Sequence, residues 1–315
     1  MRRTALRATA WGVVAAGVAA PLVRKRVKAP PIVVQAVAFS APFGLCIAVR
    51  RSRVRDLAAC GLQRWAYVAA YTYPHDDPVA QEQRVHVDYP IIADRVLGMG
   101  ELPSLRLQRA LAREGPRGAE WGPLDRMLVW AHWMWFMVPH GSLVYILLRD
   151  PQRFPRAAVM TYAVFDVGAC GYWLFPTAPP WWSASAGAER GEDKPVVRRM
   201  MVEYGELFWR DGWGSLYSVF GGNPLAAMPS LHFATSMMAA LLLAEVGPLA
   251  GALGFAYTAT LGFALVYLGE HYAVDLLAGA ALTGVVRRLE PRARPRVERV
   301  GRAVAALEAM AHEAI

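Results

Sequence analysis

Cysteine is scarce in this 315-residue chain and charge is thin: there are three cysteines, and Asp, Glu, Lys and Arg together make up 19%. Cys46, Cys60 and Cys170 lie apart in apolar surroundings, with no paired spacing that would build a disulfide framework or a zinc site. They read as small packing residues. The shortage of charge, set against 55% hydrophobic residues and long apolar runs, argues against the two soluble domains that this length could make. Internal repeats and paired broken helices, which would suggest a transporter, are missing as well.

What is present is a series of apolar segments. Runs at 31–49, 127–148, 157–174, 231–246, 249–268 and 272–286 are candidate membrane spans, since about 20 helical residues cover the hydrocarbon. The stretch 57–73 is a further candidate, interrupted by Gln63 and Arg64 but carrying Trp65 and tyrosines suited to an interface. At the start, Met1-Arg2-Arg3 and the apolar stretch 8–20 have the charge and length of a secretory signal. Pro21 directly after Val18-Ala19-Ala20 argues against cleavage, so the segment is read as an uncleaved short helix. The expected fold is all-α, a polytopic membrane helical bundle. Its expected parts are N-terminal membrane helices at 1–56, a membrane core at 57–288 and a basic cytoplasmic tail at 289–315. Within the core, 74–124 is a polar surface excursion with an amphipathic piece at 97–111, and 176–227 is a long mixed loop.

The net charge of +9 could suggest nucleic acid, but the basic residues gather at 24–28, 50–55, 149–156 and 287–296, flanking the apolar runs. Such blocks mark topology and lipid headgroups, so the expected partner is a membrane and not a nucleic acid. With 149–156 and 287–292 in the cytoplasm, Phe175, His232 and His271 all fall on the extracytoplasmic side of a multi-pass cell-membrane protein whose C-terminus is cytoplasmic. One conflict stays: an inside assignment for 50–55 leaves 24–28 outside, against the same rule.

The chemistry is concentrated in two stretches at helix ends. In Gly269-Glu270-His271-Tyr272-Ala273-Val274-Asp275 a histidine and an aspartate stand four apart, so on a helix both side chains leave one face, a turn apart. A carboxylate so placed can hold an imidazole; a structural pair has the same spacing. An ionisable group in a spanning helix costs roughly 3 kcal/mol on insertion scales, which favours a functional role. In Met228-Pro229-Ser230-Leu231-His232 a helix starting near the proline turns its unpaired amides toward any bound anion. Two histidines, one carboxylate and an anion-binding helix end on one face describe phosphoryl transfer through a phosphohistidine. Such a site requires Asp275 within hydrogen-bond reach of the His271 ring and His232 across a phosphate-sized gap. Phe175-Pro176-Thr177-Ala178-Pro179-Pro180-Trp181-Trp182 cannot continue a helix; it reads either as a helix stop with an aromatic anchor or as a rigid wall of a phosphate site. Pro179, Pro180 and Ser230 are expected to contact the substrate. Asp166 lies at nearly the depth of His140 on the preceding antiparallel run, and the two are expected to pair. Tyr204, Phe208, Trp209 and Trp213 are spaced to lie at the interface, either over the site as a cover or on a surface helix that only anchors the bundle.

Phe-Pro-Thr-Ala-Pro-Pro at 175–180, Met-Pro-Ser-Leu-His at 228–232 and Gly-Glu-His-Tyr-x-x-Asp at 269–275 resemble the three signatures of the type 2 phosphatidic acid phosphatase superfamily. Within it, they are similar to the branch that contains inositol phosphorylceramide synthases, over roughly residues 57–288. The resemblance implies a six-helix core, here with one or two extra N-terminal helices, and an outward-facing site that needs neither metal nor cofactor. It also implies His271 as nucleophile, Asp275 as its orienting carboxylate and His232 as the acid that protonates the leaving oxygen. Two cationic clamps of the wider superfamily are absent: the Lys/Arg-Pro signature of its first motif, and a Ser-Arg pair whose places are taken by Ala264 and Leu265. Arg190, Lys194 and Arg210, with Arg198 and Arg199, are the cations left to meet a phosphate, although residues of this kind in a long loop are more often ordinary solvated charges. The function expected is a membrane lipid phosphatase or phosphotransferase acting on a phosphorylated lipid. The rival is a non-catalytic lipid-binding or scaffold protein that keeps the bundle.

Overall fold

The computed structural model describes residues 2–115, 118–183, 196–215 and 222–312. Two N-terminal helices, α1 (Arg2–Val27) and α2 (Pro31–Ala48), pack antiparallel. Gly17 lies against Ala41 and Gly44 against the Ala10 backbone, the small-residue contact through which helices approach in lipid. After α3 (Arg53–Thr72) the polar segment carries α4 (Pro78–Glu82), α5 (Asp88–Leu97) and α6 (Pro103–Leu111). An antiparallel ladder follows, β1 (Arg113–Gly115) on β2 (Gly118–Glu120), with Arg113 opposite Glu120. The remaining helices are α7 (Pro123–Met134), α8 (Val138–Arg149), α9 (Phe154–Leu174), α10 (Met200–Trp209), α11 (Leu231–Val246), α12 (Pro248–Tyr267) and α13 (Ala273–His312). Helices α1, α2, α9 and α12 are long and apolar enough to cross a membrane, and α11 is a shorter apolar helix. The chain is an all-α, multi-pass membrane bundle.

Proline and the capping hydroxyls set the helix starts. Proline occupies the first turn of α2, α7, α8, α9 and α12, where its missing N–H is not needed. Ser52 caps α3 and Ser230 caps α11. Proline also divides the run 127–148, which sequence reads as one span. The helix stops after Met134 and resumes at Val138, because Pro139 lacks an N–H and its ring clashes with the carbonyl four residues back, that of Trp135. The amphipathic piece expected at 97–111 is likewise interrupted: Met99 and Gly100 both have positive φ, and α6 begins at Pro103. Residues 289–312, expected as a tail, continue α13 through Pro291 and Pro295 without a break.

Pairings along the helices define two ends. Helices α3 and α9 run parallel, since Tyr162 donates to the Cys60 carbonyl (2.8 Å) and Trp173 to that of Ala70 (2.7 Å). At their starting end, Glu245 meets Arg156 (2.7 Å) and Arg287 (3.0 Å), and Glu290 meets Arg156 (3.3 Å). The last turns of α13 fold against the same end, where Glu308 lies 2.9 Å from the buried Arg55 and His312 contacts the Ile47 carbonyl. The opposite end holds the termini of α3 and α9 and both histidine motifs. There Arg24 and Lys25 share Asp76, at 2.6 and 3.2 Å.

Candidate active site

The turn between α12 and α13 carries His271. Gly269 has φ +79, and the Arg198 carbonyl oxygen lies 2.3 Å from where its Cβ would stand, so only glycine fits. The Glu270 and His271 amides both donate to the Leu265 carbonyl, at 3.0 and 3.1 Å, closing the end of α12. On the far side of the turn, Asp275 Oδ2 accepts from the Tyr272 amide (2.9 Å) and lies 3.2 Å from His271 Nδ1. An ionised carboxylate only accepts, which assigns the proton to Nδ1 and leaves a lone pair on Nε2. That Nε2 faces His232 Nδ1 at 3.2 Å. The two histidines are thus in direct hydrogen-bond contact, where sequence reading expected a phosphate-sized gap between them. Asp275 is 0% exposed and His271 4%, so both are withdrawn from solvent.

His232 stands in the first turn of α11, and that helix is fixed to α13. The Ser230 amide donates to the Asp275 carbonyl (3.0 Å), which ties one motif to the other. Gly279 comes so close that its Cβ would lie 2.6 Å from the Ser230 carbonyl oxygen, and Thr283 donates to the Ala234 carbonyl (2.9 Å). The His232 ring lies between His132, at 5.0 Å between centroids, and Trp135, at 4.1 Å. Trp135 is in turn held by its indole N–H on Thr235 (2.9 Å).

The polar excursion braces this turn from outside. Asp94, fully buried on α5, accepts from the Ala273 amide (3.1 Å) and the Val274 amide (2.8 Å), adding a second carboxylate to the helix start where Asp275 already takes the Tyr272 amide. Burial pushes the Asp94 carboxyl up to about 6, against the two amide bonds and with a push from the Asp275 charge. Gln108 on α6 donates to the carbonyls of Arg198 (2.8 Å) and Tyr267 (3.0 Å). The proline stretch is threaded between backbone segments: Thr177 bridges to both His86 and Ala226. Pro179 and Pro180 are buried, and Ser183 just after them hydrogen bonds the Tyr272 hydroxyl at 2.9 Å. Ser230 spends its hydroxyl on the Phe233 amide as helix cap (3.4 Å).

A model of the PAP2 superfamily matches residues 119–289, over half of the chain. The chain belongs to the PAP2 superfamily. Over 150 residues this PAP2 protein is 30% identical to the phosphoinositol dihydroceramide synthase of Bacteroides thetaiotaomicron, covering 46% of the chain and 48% of the relative. Over 148 residues it is 33% identical to the inositol phosphorylceramide synthase catalytic subunit of Schizosaccharomyces pombe, covering 45% of the chain and 33% of the relative. The subunit of the same name in Saccharomyces cerevisiae is 30% identical over 118 residues, 36% of the chain and 28% of the relative. The chain thus spans less than half the length of these curated relatives. No solved structure matches it.

In this PAP2 protein Ala264 and Leu265, where the wider superfamily has its Ser-Arg pair, are fully buried in helix packing. Of the cations named from the sequence, Arg190 and Lys194 lie outside the described residues, and Arg210 is exposed at the end of α10. Arg198 is paired with Glu203. Arg199 reaches the turn: it donates to both oxygens of Glu270, at 3.0 and 3.2 Å, and lies 3.7 Å over the Trp181 ring. The expected pairing of Asp166 with His140 is replaced by another. Asp166 accepts from Gln63 on α3 (2.8 Å), while the His140 ring packs against Tyr162 and Phe165. Comparing depths on α8 and α9 alone missed α3, whose parallel course brings the amide closer. His132, Trp135, Asp94, Gln108 and Glu270 were not singled out by sequence reading. A signal existed only for His132, an ionisable residue inside an apolar run.

Proposed function

We propose that this chain is an integral-membrane lipid phosphotransferase or phosphatase that acts through a phosphohistidine on a phosphorylated lipid at the extracytoplasmic face. The observation that carries the reading is the line Asp275–His271–His232, with 3.2 Å at each step. The phosphate ester displaces the His232–His271 contact. His271 Nε2 then bonds to phosphorus as the bond from phosphorus to the leaving oxygen breaks. His232, entering this step as the imidazolium, gives its Nδ1 proton to that oxygen and is left neutral, and Asp275 offsets the positive charge on the His271 ring. In the second half, water or an alcohol attacks phosphorus, its proton passes to His232, and the P–N bond breaks. Both histidines return to their starting forms. No metal or cofactor enters this sequence. Arg199, carried by Glu270 beside the nucleophile, meets the phosphate charge in place of the family's missing arginine. The relatives' names, all synthases that contain a phosphoinositol or phosphoryl group and a ceramide, support transfer to a lipid alcohol, with hydrolysis as the competing outcome. The extracytoplasmic placement rests on the arginine-rich opposite end of the bundle.

The test uses purified protein and lipids labelled in the phosphate, with water alone and with added alcohols. Wild type is expected to release or transfer label. His271→Ala, His232→Ala and Asp275→Asn are each expected to lower kcat/KM by about 10²-fold or more, with elution and thermal stability kept. Acid-labile, base-stable label should accumulate on the His271 ring in rapidly quenched reactions. Full activity in His271→Ala would end the phosphohistidine reading, and inorganic phosphate as the sole product across a broad alcohol panel would end the transferase half.

A further inference from the structure

His132 stands beside the site and takes no part in the steps above. It is 4% exposed on α7, with its ring stacked on that of His232 at 29° between planes. Neither of its ring nitrogens has a hydrogen-bond partner among the described residues. A neutral imidazole carries one donor and one acceptor, and leaving both unmade in a buried position is destabilising. A phenylalanine would stack on His232 without that penalty. The His232 ring on which it stacks meets the His271 ring through Nδ1 at 3.2 Å, which puts His132 in the histidine cluster of the site. An unmet donor and an unmet acceptor therefore lie one ring away from the proposed nucleophile.

We infer that His132 is a substrate-binding residue, whose N–H donates to a non-bridging oxygen of the phosphate ester attacked by His271 and whose other nitrogen accepts from a hydroxyl of the headgroup. A donor and an acceptor on one rigid ring fit a phosphate ester of a polyol better than a bare phosphate, which offers only the first partner at neutral pH. The stack on His232 gives the ring its precision, because the group that protonates the leaving oxygen and the group that holds the ester then share one orientation. This inference rests on the phosphotransfer reading.

The experiment compares wild type, His132→Phe and His132→Asn, purified in lipid nanodiscs, with phosphatidylinositol and phosphatidic acid as labelled probes. Stabilisation by orthovanadate is measured alongside as a binding readout that needs no turnover. His132→Phe is expected to fold with equal or higher thermal stability, since its unmet nitrogens are gone. It should raise KM for phosphatidylinositol by about tenfold or more, affect phosphatidic acid less, and lose stabilisation by orthovanadate. His132→Asn, which keeps a donor and an acceptor, should recover part of each loss. Should the Phe variant fail to fold, His132→Leu carries the same test. An active, vanadate-stabilised wild type beside a His132→Phe of unchanged KM would overturn the inference alone and leave water as the partner of the ring. A wild type that neither turns over any labelled lipid nor responds to orthovanadate would overturn the phosphotransfer reading, and this inference with it.

Discussion

Asp94 holds two amides of α13 with one buried carboxylate, and its proton affinity makes that bond measurable. Because burial pushes its carboxyl up to about 6, the folded protein binds this proton more tightly than the unfolded chain does, where a free aspartate titrates near about 4. Its stabilising contribution is therefore full below about pH 4 and is lost as the pH rises through about 6. Asp94→Asn removes the slope: the apparent Tm of wild type relative to the variant should fall between those limits and level off above them. A difference that stays flat across the window would contradict the assignment. The variant also turns an amide N–H toward a backbone donor, so kcat should fall about tenfold with KM little changed, the cost of a damaged helix start under the proposed nucleophile. Asp275 could be read in the sequence because its partner is four residues away. Asp94 could not, since its partners are 179 and 180 residues further on and nothing in Ile91-Ile92-Ala93-Asp94-Arg95 separates it from a solvated acid. Gln108 escaped for the same reason, as its partners lie 90 and 159 residues away.

Helix on helix, the site depends on how closely α11 approaches α13. Gly279 sets that approach, because any Cβ there meets the Ser230 carbonyl oxygen at 2.6 Å, and neither backbone can yield without moving His232 or Asp275. Gly279→Ala should therefore lower kcat by at least about tenfold, by misaligning reacting groups. Thr283→Val, which removes the bond to the Ala234 carbonyl at nearly constant volume, should cost about 1 kcal/mol of stability and leave kcat within about threefold of wild type. Equal kcat in Gly279→Ala and wild type would show that the helices tolerate separation. At this scale apolar patterning was a good guide to α2, α9, α11 and α12, whose lipid-facing and core-facing sides are both hydrophobic. It failed between α7 and α8, where a proline within an unbroken apolar run leaves composition unchanged but removes a backbone bond. It also gave no warning that 289–312 continues as helix, since that stretch is polar and its anchor, Arg55, belongs to the start of α3.

Across the whole molecule, the bundle has a histidine end and an arginine end. The order of the three motifs and the basic blocks carried that much, and the one block that broke the charge rule has a local reason: Arg24 and Lys25 at the histidine end are matched by Asp76. How far the histidine end stands from the water could not be read from composition. Helix α11 has 16 residues, about 24 Å of rise, against a hydrocarbon layer about 30 Å thick. If the arginines around Glu245 mark one boundary, His232 would fall short of the other by several Å. On the proposed function the two histidines would then sit below the headgroup plane, and a lipid phosphate would reach them only where the bilayer dips. Local thinning has a cost that grows with the thickness of the surrounding membrane. Activity in vesicles of short-chain phosphatidylcholine should accordingly exceed that in long-chain vesicles at equal substrate fraction, and a rate indifferent to chain length would place the histidines at the surface instead. Bilayer thickness would then act on the enzyme as a substrate-access variable, set by the membrane and not by the protein.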